Sequence, residues 1–145
     1  MIRNDFDPQQ PYRYVCYGRM SDPRNQNIRS PDQQFAEIAR TLQRLQYPWQ
    51  HVKDYRDGGT GRRFFGRPEL QRMLHELKSG IIAADLILVD TPERFGRLDG
   101  LEEIRRHLYN HHGLLVLSAN TSFGDPNTPQ GRAYGAVDAI RASEG

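Results

Sequence analysis

Apolar and polar positions divide the chain into two alternating kinds of segment. Four short segments suit β-strands, at residues 13–18, 51–55, 86–89 and 114–117. Between them, apolar residues recur every three or four positions, which is the period of an amphipathic helix. The order β-α-β-α-β-α-β-α predicts an α/β fold with a mostly parallel β-sheet flanked by helices on both faces.

The character of each strand predicts its place in the sheet. The third strand, Leu86–Val89, is apolar throughout, as expected for a central strand that is buried on both faces. The second strand, His51–Tyr55, is short and polar, which favours an edge.

Helix boundaries are marked by capping and breaking residues. Ser30 precedes Pro31, and Gln33 completes a capping box, so a helix is expected to begin here. A second helix is predicted from Pro68 to a stop at Gly80. A third is expected between Asp99 as its cap and a stop at Gly113, and a polar loop is expected over residues 120–130.

The chain is predicted to contain one domain. Residues 1–12 are polar and proline-containing and are expected to form a flexible N-terminal arm. Residues 13–130 would form the α/β domain, and residues 131–145 would begin a long C-terminal helix. Because that helix stops without a clear cap, we expect the chain to be truncated.

Bulk composition excludes several classes of protein. Hydrophobic residues make up 37% of the chain and charged residues 26%, and no apolar run approaches the roughly 20 residues of a membrane span. The N-terminus lacks the apolar core of a signal peptide. Cys16 is the single cysteine, and its place in an apolar strand predicts a buried small side chain. We expect a cytoplasmic protein.

Arginine dominates the basic residues. Lysine and arginine together number 20, and only Lys53 and Lys78 are lysines. The guanidinium fork matches phosphate oxygens in a bidentate way. A GC-rich genome would produce the same bias, so the positions of the arginines are more informative than their number.

Those positions converge on one edge of the predicted sheet. In an open α/β sheet, the loops that follow the strands share the edge where ligands bind. The loops after the first three strands carry a serine, Ser21, and a set of arginines: Arg19, Arg62, Arg63, Arg67, Arg94 and Arg97. Clustered guanidiniums bind a phosphodiester, stabilise its transition state and lower the pKa of a nearby hydroxyl. Ser21 could therefore attack phosphorus, although taken alone it also fits an ordinary strand end.

Other motifs are weaker. His107 and His111 share a helical face but lack the glutamate of a zinc protease motif, so solvent-facing histidines are favoured over a metal site. The glycine-rich segment 58–61 could cradle a phosphate or form a flexible turn. Ser30 is a rival nucleophile, but its role as a helix cap explains it fully.

With these residues in place, the chain resembles the N-terminal catalytic domain of serine recombinases, the resolvase/invertase family with its large integrase relatives. The resemblance runs from about Tyr14 to the chain end and rests on an ordered series of motifs. In this sequence they are Tyr17, Arg19 and Ser21; Ser30 and Gln34; Asp57 to Gly61; Arg67 to Leu70; Glu93 to Arg97; and Thr128 to Arg132.

The resemblance implies a reaction. Ser21 would attack a DNA phosphate, form a 5′-phosphoserine linkage and release a 3′-hydroxyl. The phosphate would be bound by four arginines, Arg19, Arg67, Arg94 and Arg97. The site would be organised by Tyr17, Gln34, Asp57 and Glu93, and the loop residues Arg62 and Arg63 are candidates for contacts to DNA. No metal and no cofactor is implied.

The resemblance also implies partners. Double-stranded DNA would be the substrate, and dimers would pair into a tetramer, exchange strands by subunit rotation and religate. The long final helix would serve dimerisation and DNA contact. Because no zinc-binding cysteine pair or helix-turn-helix follows the domain, we expect this chain to bind DNA weakly and without site choice. The expected location is the bacterial cytoplasm, at the nucleoid.

Two departures from the family pattern leave an alternative open. Glu93 stands where the family has aspartate, and Thr91 where small resolvases have lysine. The longer carboxylate can displace the arginines that it positions, and phosphoryl transfer is sensitive to distance. The alternative is a non-catalytic regulatory or assembly module that retains the fold. The ordered motifs disfavour a third reading, an unrelated phosphate-binding doubly wound domain.

Overall fold

A computed structural model describes residues 6–20, 30–58, 67–91, 101–125 and 127–129. It contains four strands: β1 (Arg13–Arg19), β2 (Gln50–Asp57), β3 (Leu86–Val89) and β4 (Leu115–Ser118). Three α-helices connect them: α1 (Pro31–Leu45), α2 (Pro68–Ser79) and α3 (Leu101–His112). A short 3₁₀ helix, Ala119–Gly124, follows β4. The predicted α/β order is confirmed over this part of the chain.

The four strands form one sheet in the order β2-β1-β3-β4, and every neighbouring pair is parallel. β2 lies at an edge, as its polar sequence predicts. The chain proceeds from β1 to one side of the sheet and then crosses back to β3 on the other side. In open α/β sheets, ligands bind at the carboxyl ends of the strands beside such a reversal. Here that place is the end of β1 and β3.

Side-chain alternation along β1 separates two cores. Tyr14 and Cys16 pack with Ile38 of α1 on one face of the sheet. Val15 and Tyr17 pack on the other face, among residues of α2 and α3. All four residues of β3 are buried, as expected for a central strand. The sheet is therefore covered by helices on both faces.

The starts of α1 and α2 and the ends of α2 and α3 lie where the capping residues predict. The Ser30 side chain accepts a hydrogen bond from the Gln33 backbone N–H, and the Gln33 side chain accepts one from the Ser30 backbone, which completes the capping box. Pro68 opens α2, and Gly80 ends it in a left-handed conformation with φ of 82°. Asp99 and the predicted helix 131–145 lie outside the described residues.

Two segments with polar sequences make apolar contacts that the sequence pattern does not anticipate. Phe6 stacks on Tyr12, and both contact Trp49, whose indole N–H donates to the Pro8 carbonyl at 2.9 Å. Phe6, Pro8 and Tyr12 belong to residues 1–12, for which a flexible arm is expected. In the predicted polar loop after β4, Phe123 is fully buried and packs on Trp49. Aromatic contacts thus connect residues 6–12 and Phe123 to Trp49.

The end of β1 lies very close to the start of α1. A Cβ atom built on Gly18 would meet the Phe35 ring at 3.0 Å and the Pro31 Cβ at 3.1 Å. Contacts this short force neighbouring atoms to shift. Glycine at this position lets α1 approach the strand.

We predict that Gly18→Ala lowers the free energy of unfolding by about 1–3 kcal/mol, because the added methyl overpacks the junction of β1 and α1. Gly58→Ala is the matched control, since a Cβ there meets nothing within 4 Å. The control should leave stability unchanged or raise it by less than about 1 kcal/mol. Urea unfolding of both variants measures the difference, and equal effects would contradict this account of the junction.

Candidate functional site

α1 holds the backbone at the end of β1. The Arg19 backbone N–H donates to Gln34 Oε1 at 3.0 Å, and Gln34 Nε2 donates to the Arg19 carbonyl at 2.7 Å. Gln34 is fully buried. Its amide therefore fixes both polar groups of one peptide segment, which explains why a polar side chain occupies an inward position of α1.

β2 holds the next residue from the other side. The Met20 backbone N–H donates to the Asp57 carbonyl at 3.1 Å, and Arg19 lies opposite Asp57 in the strand register. Arg19 and Met20 immediately precede Ser21 in the chain. The backbone that leads to the candidate nucleophile is thus anchored by α1 and by β2.

The Asp57 carboxylate connects three elements. It accepts a hydrogen bond from the Tyr17 hydroxyl at 2.8 Å, and from the backbone N–H groups of Glu69 and Leu70 at 2.9 and 3.0 Å. Only 3% of Asp57 is exposed. The last two donors belong to the first turn of α2, where N–H groups have no partner within the helix.

Asp57, the last residue of β2, therefore caps α2 although it lies outside that helix. Arg67 occupies the N-cap position of α2, and its side chain makes no capping hydrogen bond. A carboxylate at a helix N-terminus also interacts favourably with the helix dipole. This remote cap ties the start of α2, and with it Arg67, to the end of β2.

Arg67 is the largest fully buried side chain among the described residues, with 0% exposure. Burial, followed by the charge and hydrogen bond of Asp57, raises the pKa of the Tyr17 hydroxyl, while the nearby Arg67 and Arg19 charges act to lower that pKa. Both guanidiniums therefore lie within electrostatic reach of Tyr17. The net increase keeps Tyr17 protonated at neutral pH, as its role as donor to Asp57 requires.

The arrangement favours an anion at this edge. Arg67 and Arg19 bring two guanidiniums to an edge where Asp57 contributes one carboxylate, so positive charge is in excess there. Arginine donors bind the oxygens of phosphate in a bidentate way. The site can therefore bind a phosphate group and stabilise charge that develops on its oxygens.

The structure brings together five of the residues that the sequence predicts for the site. These are Tyr17, Arg19, Gln34, Asp57 and Arg67. The remaining predicted residues lie outside the described part of the chain: Ser21, Arg62, Arg63, Glu93, Arg94 and Arg97. β1 ends at Arg19, so strand alternation does not determine the direction of Ser21.

Sequence reasoning passed over one carboxylate at this edge. Asp90 follows β3 directly, is buried, and accepts a hydrogen bond from the Thr91 backbone N–H at 2.8 Å. Its carbonyl accepts from the Asn120 N–H at 3.0 Å. The available signal was its position, since an acid directly after an apolar strand at the reversal of the sheet faces the binding edge.

The histidines of α3 agree with the solvent-facing interpretation. His107 and His111 are exposed, and their ring centroids lie 4.5 Å apart. Within the described ranges, the only group of three potential metal ligands is Cys16, His51 and Asp54.

The helices of the described residues are too short or too polar to span a membrane.

We predict that Tyr17→Phe lowers the free energy of unfolding by about 1.5–3 kcal/mol, because it removes a hydrogen bond to a buried carboxylate. Asp57→Asn should cost more, since one amide –NH₂ then faces donors that the carboxylate had satisfied. Tyr12→Phe, whose hydroxyl lies in an exposed contact with the Asp7 N–H, is the control. Denaturant unfolding tests the order, and a Tyr17→Phe protein as stable as the control would contradict it.

Solved structures support the fold. The N-terminal catalytic domain of TP901-1 integrase matches with a TM-score of 0.58 and 20% identity, over 91% of this chain and 93% of that one. A resolvase family site-specific recombinase from Streptococcus pneumoniae matches with a TM-score of 0.60 and 16% identity, over 92% and 85%. The C-terminal catalytic domain of ISC1926 TnpA, an IS607-like serine recombinase, matches with a TM-score of 0.57 and 19% identity, over 74% of this chain and 67% of that one.

Sequence comparison reaches the same group of proteins by a separate route. No curated protein sequence matches the chain. A family model described as the resolvase N-terminal domain matches residues 14–144, which is nearly the whole chain. The fold, the order of the motifs and this match agree, and the chain belongs to the resolvase family, of which it spans the N-terminal domain.

Proposed function

We propose that this domain cuts and rejoins DNA with Ser21 as the nucleophile. The observation that carries the proposal is the fully buried Arg67, held by the Tyr17–Asp57 network at the edge where the chain leads to Ser21. Arginine binds phosphate oxygens in a bidentate way, and the Arg67 and Arg19 guanidiniums together carry more positive charge than the Asp57 carboxylate balances. In a recombinase fold, the anion that fits is the scissile phosphate of DNA.

The reaction is a phosphoryl transfer in two steps. In the first, the Ser21 hydroxyl gives up its proton and its Oγ forms a bond to phosphorus. The bond from phosphorus to the 3′ oxygen breaks, and that oxygen takes up a proton and leaves as a hydroxyl. In the second, a 3′-hydroxyl attacks the phosphoserine and regenerates Ser21. Because one phosphate ester replaces another, strand joining needs no external energy source.

Arginines supply the electrostatic part of this mechanism. Arg67 and Arg19 would bind the phosphate oxygens and neutralise the charge that grows on them in the transition state. Arg94 and Arg97 would complete this set, with Glu93 orienting them. The same positive charge lowers the pKa of the Ser21 hydroxyl, which favours its attack without a histidine base.

The other predicted residues would act through these groups. Tyr17 and Asp57 are positioning residues for Arg67, since they fix the start of α2. Gln34 is a positioning residue for the backbone before Ser21. Arg62 and Arg63 would contact the DNA backbone.

The network disfavours the non-catalytic alternative. An assembly module needs the fold and a self-association surface, but it does not need a buried arginine at the start of a helix that Asp57 caps. We propose that the domain works on double-stranded DNA in the cytoplasm and assembles as dimers and tetramers through the segment from residue 131. The similar solved structures, described as integrase and recombinase domains, support this proposal.

We predict a covalent adduct between protein that carries this domain and a nicked duplex that contains a crossover site. Ser21→Ala should abolish the adduct, because it removes the attacking oxygen. Ser30→Ala is the matched control: Ser30 is the other candidate hydroxyl, but it caps α1, so its loss should cost about 1 kcal/mol of stability and leave the adduct intact. Denaturing electrophoresis of labelled DNA detects the product.

Two results would contradict the assignment. The first is an adduct that survives Ser21→Ala. The second is the absence of an adduct with native protein on a duplex that it binds, which would favour the non-catalytic module.

A further inference from the structure

A bulge in β2 changes which side chains share a face of the sheet. Tyr14 pairs with His51, Val15 with Lys53 and Cys16 with Asp54, so Val52 is an extra residue on β2. In a regular strand, residues three apart point to opposite faces. The extra residue reverses the alternation, and such bulges re-aim side chains near functional sites. His51 and Asp54 therefore share the face of Tyr14 and Cys16.

The re-aimed residues form a compact group of metal-binding atoms. The Cys16 sulfur, a His51 ring nitrogen and an Asp54 carboxylate oxygen all lie within 4.8 Å of one another. His51 Nε2 lies 2.7 Å from Asp54 Oδ1. The His51 ring also packs on Tyr14, with centroids 5.4 Å apart. Three chemically different ligand atoms thus lie within reach of a single ion.

The group lies along a groove between the sheet and α1. The groove has a volume of about 410 Å³ and is lined by Cys16, His51 and Asp54 together with residues of α1. The side chain of His51 is 48% exposed and that of Asp54 26% exposed, while Cys16 is 3% exposed. An ion can therefore enter from solvent at His51 and reach the sulfur inside.

We propose that Cys16, His51 and Asp54 form a zinc-binding site, with water from the groove as the fourth ligand. Zinc takes sulfur, imidazole nitrogen and carboxylate oxygen in a tetrahedron, with Zn–S near 2.3 Å and Zn–N near 2.0 Å, which places ligand atoms roughly 3.3–3.6 Å apart. Zinc binding would open the His51–Asp54 hydrogen bond, because those two atoms now lie 2.7 Å apart, and would draw together the ligand atoms that lie up to 4.8 Å apart. The Cys16 thiol loses its proton to solvent when the sulfur binds zinc.

Other uses of these three residues fit the geometry less well. A cysteine nucleophile needs a histidine base beside it and an acid behind the histidine. Here His51 Nε2 lies against Asp54 Oδ1 at 2.7 Å, so the carboxylate occupies the ring nitrogen instead of lying behind the histidine. A simple surface pair of His51 and Asp54 leaves unexplained why the bulge turns both side chains toward a buried thiol.

The zinc site is separate from the proposed phosphate site. Cys16 faces the α1 layer, whereas its neighbour Tyr17 faces the α2 layer. Zinc would link β1 to the edge strand β2, three residues before Asp57. Its expected effect is to stabilise the folded chain, because a ligand that binds only the folded state shifts the unfolding equilibrium.

The test uses Co²⁺ and Zn²⁺ with the tag-free 145-residue chain. Co²⁺ should produce a thiolate-to-cobalt charge-transfer band in the near ultraviolet, Zn²⁺ should displace it, and Zn²⁺ should raise the Tm. Cys16→Ala should remove the band. His51→Gln and Asp54→Asn should each weaken Zn²⁺ binding by about tenfold or more, since loss of even an outer partner of a ligand costs about 10–100-fold.

Controls separate this site from adventitious binding. His75→Gln alters an exposed histidine of α2, and Asp32→Asn alters a carboxylate that lines the groove but is not in the ligand group. Both should bind Zn²⁺ as the native chain does, and circular dichroism confirms that each variant is folded. The proposal is overturned if Co²⁺ gives no thiolate band, or if folded Cys16→Ala binds Zn²⁺ with native affinity.

Discussion

The buried carboxylate of Asp57 is the interaction on which the candidate site depends. The carboxylate accepts hydrogen bonds from the Tyr17 hydroxyl of β1 and from two N–H groups in the first turn of α2. The Asp57 backbone carbonyl accepts one from the Met20 N–H. Burying a carboxylate is costly unless its oxygens are satisfied, and here three donors satisfy them. One residue therefore fixes the end of β1, the end of β2 and the start of α2 relative to one another.

This arrangement has a chemical consequence for the proposed reaction. Arginines that are positioned before the substrate arrives stabilise a transition state without paying for reorganisation during the reaction. Arg67 is the N-cap residue of α2, so its backbone position depends on the hydrogen bonds by which Asp57 caps the helix. The charge that the proposed reaction needs would thus be positioned by the fold.

The fold was largely predictable, because burial dictates the periods of apolar residues. The polar β2 at the edge, the apolar β3 inside the sheet and the caps at Ser30 and Gly80 all follow from local chemistry. Tyr17, Gln34 and Asp57 were predicted as site residues, but only as members of a family motif. That Asp57 caps a helix from another strand is a tertiary contact which no local pattern contains.

Other features also escaped prediction for physical reasons. The bulge at Val52 places His51 and Asp54 on the same face of the sheet. A prediction from periodicity would place them on opposite faces, because it assumes an unbroken alternation. The burial of Phe123 in a polar loop depends on Trp49, which is distant in sequence. The roles of Ser21, Arg94 and Arg97 stay predictions from the resemblance.

The most direct test of the central role of Asp57 is residue-resolved amide hydrogen exchange in Asp57→Asn, compared with the native chain. If Asp57 couples the two segments, Met20, Glu69 and Leu70 should lose protection together, beyond the global loss reported by Leu88 at the centre of β3. If Glu69 and Leu70 lose protection while Met20 exchanges in step with Leu88, Asp57 only caps α2, and the account of one carboxylate organising the site is contradicted.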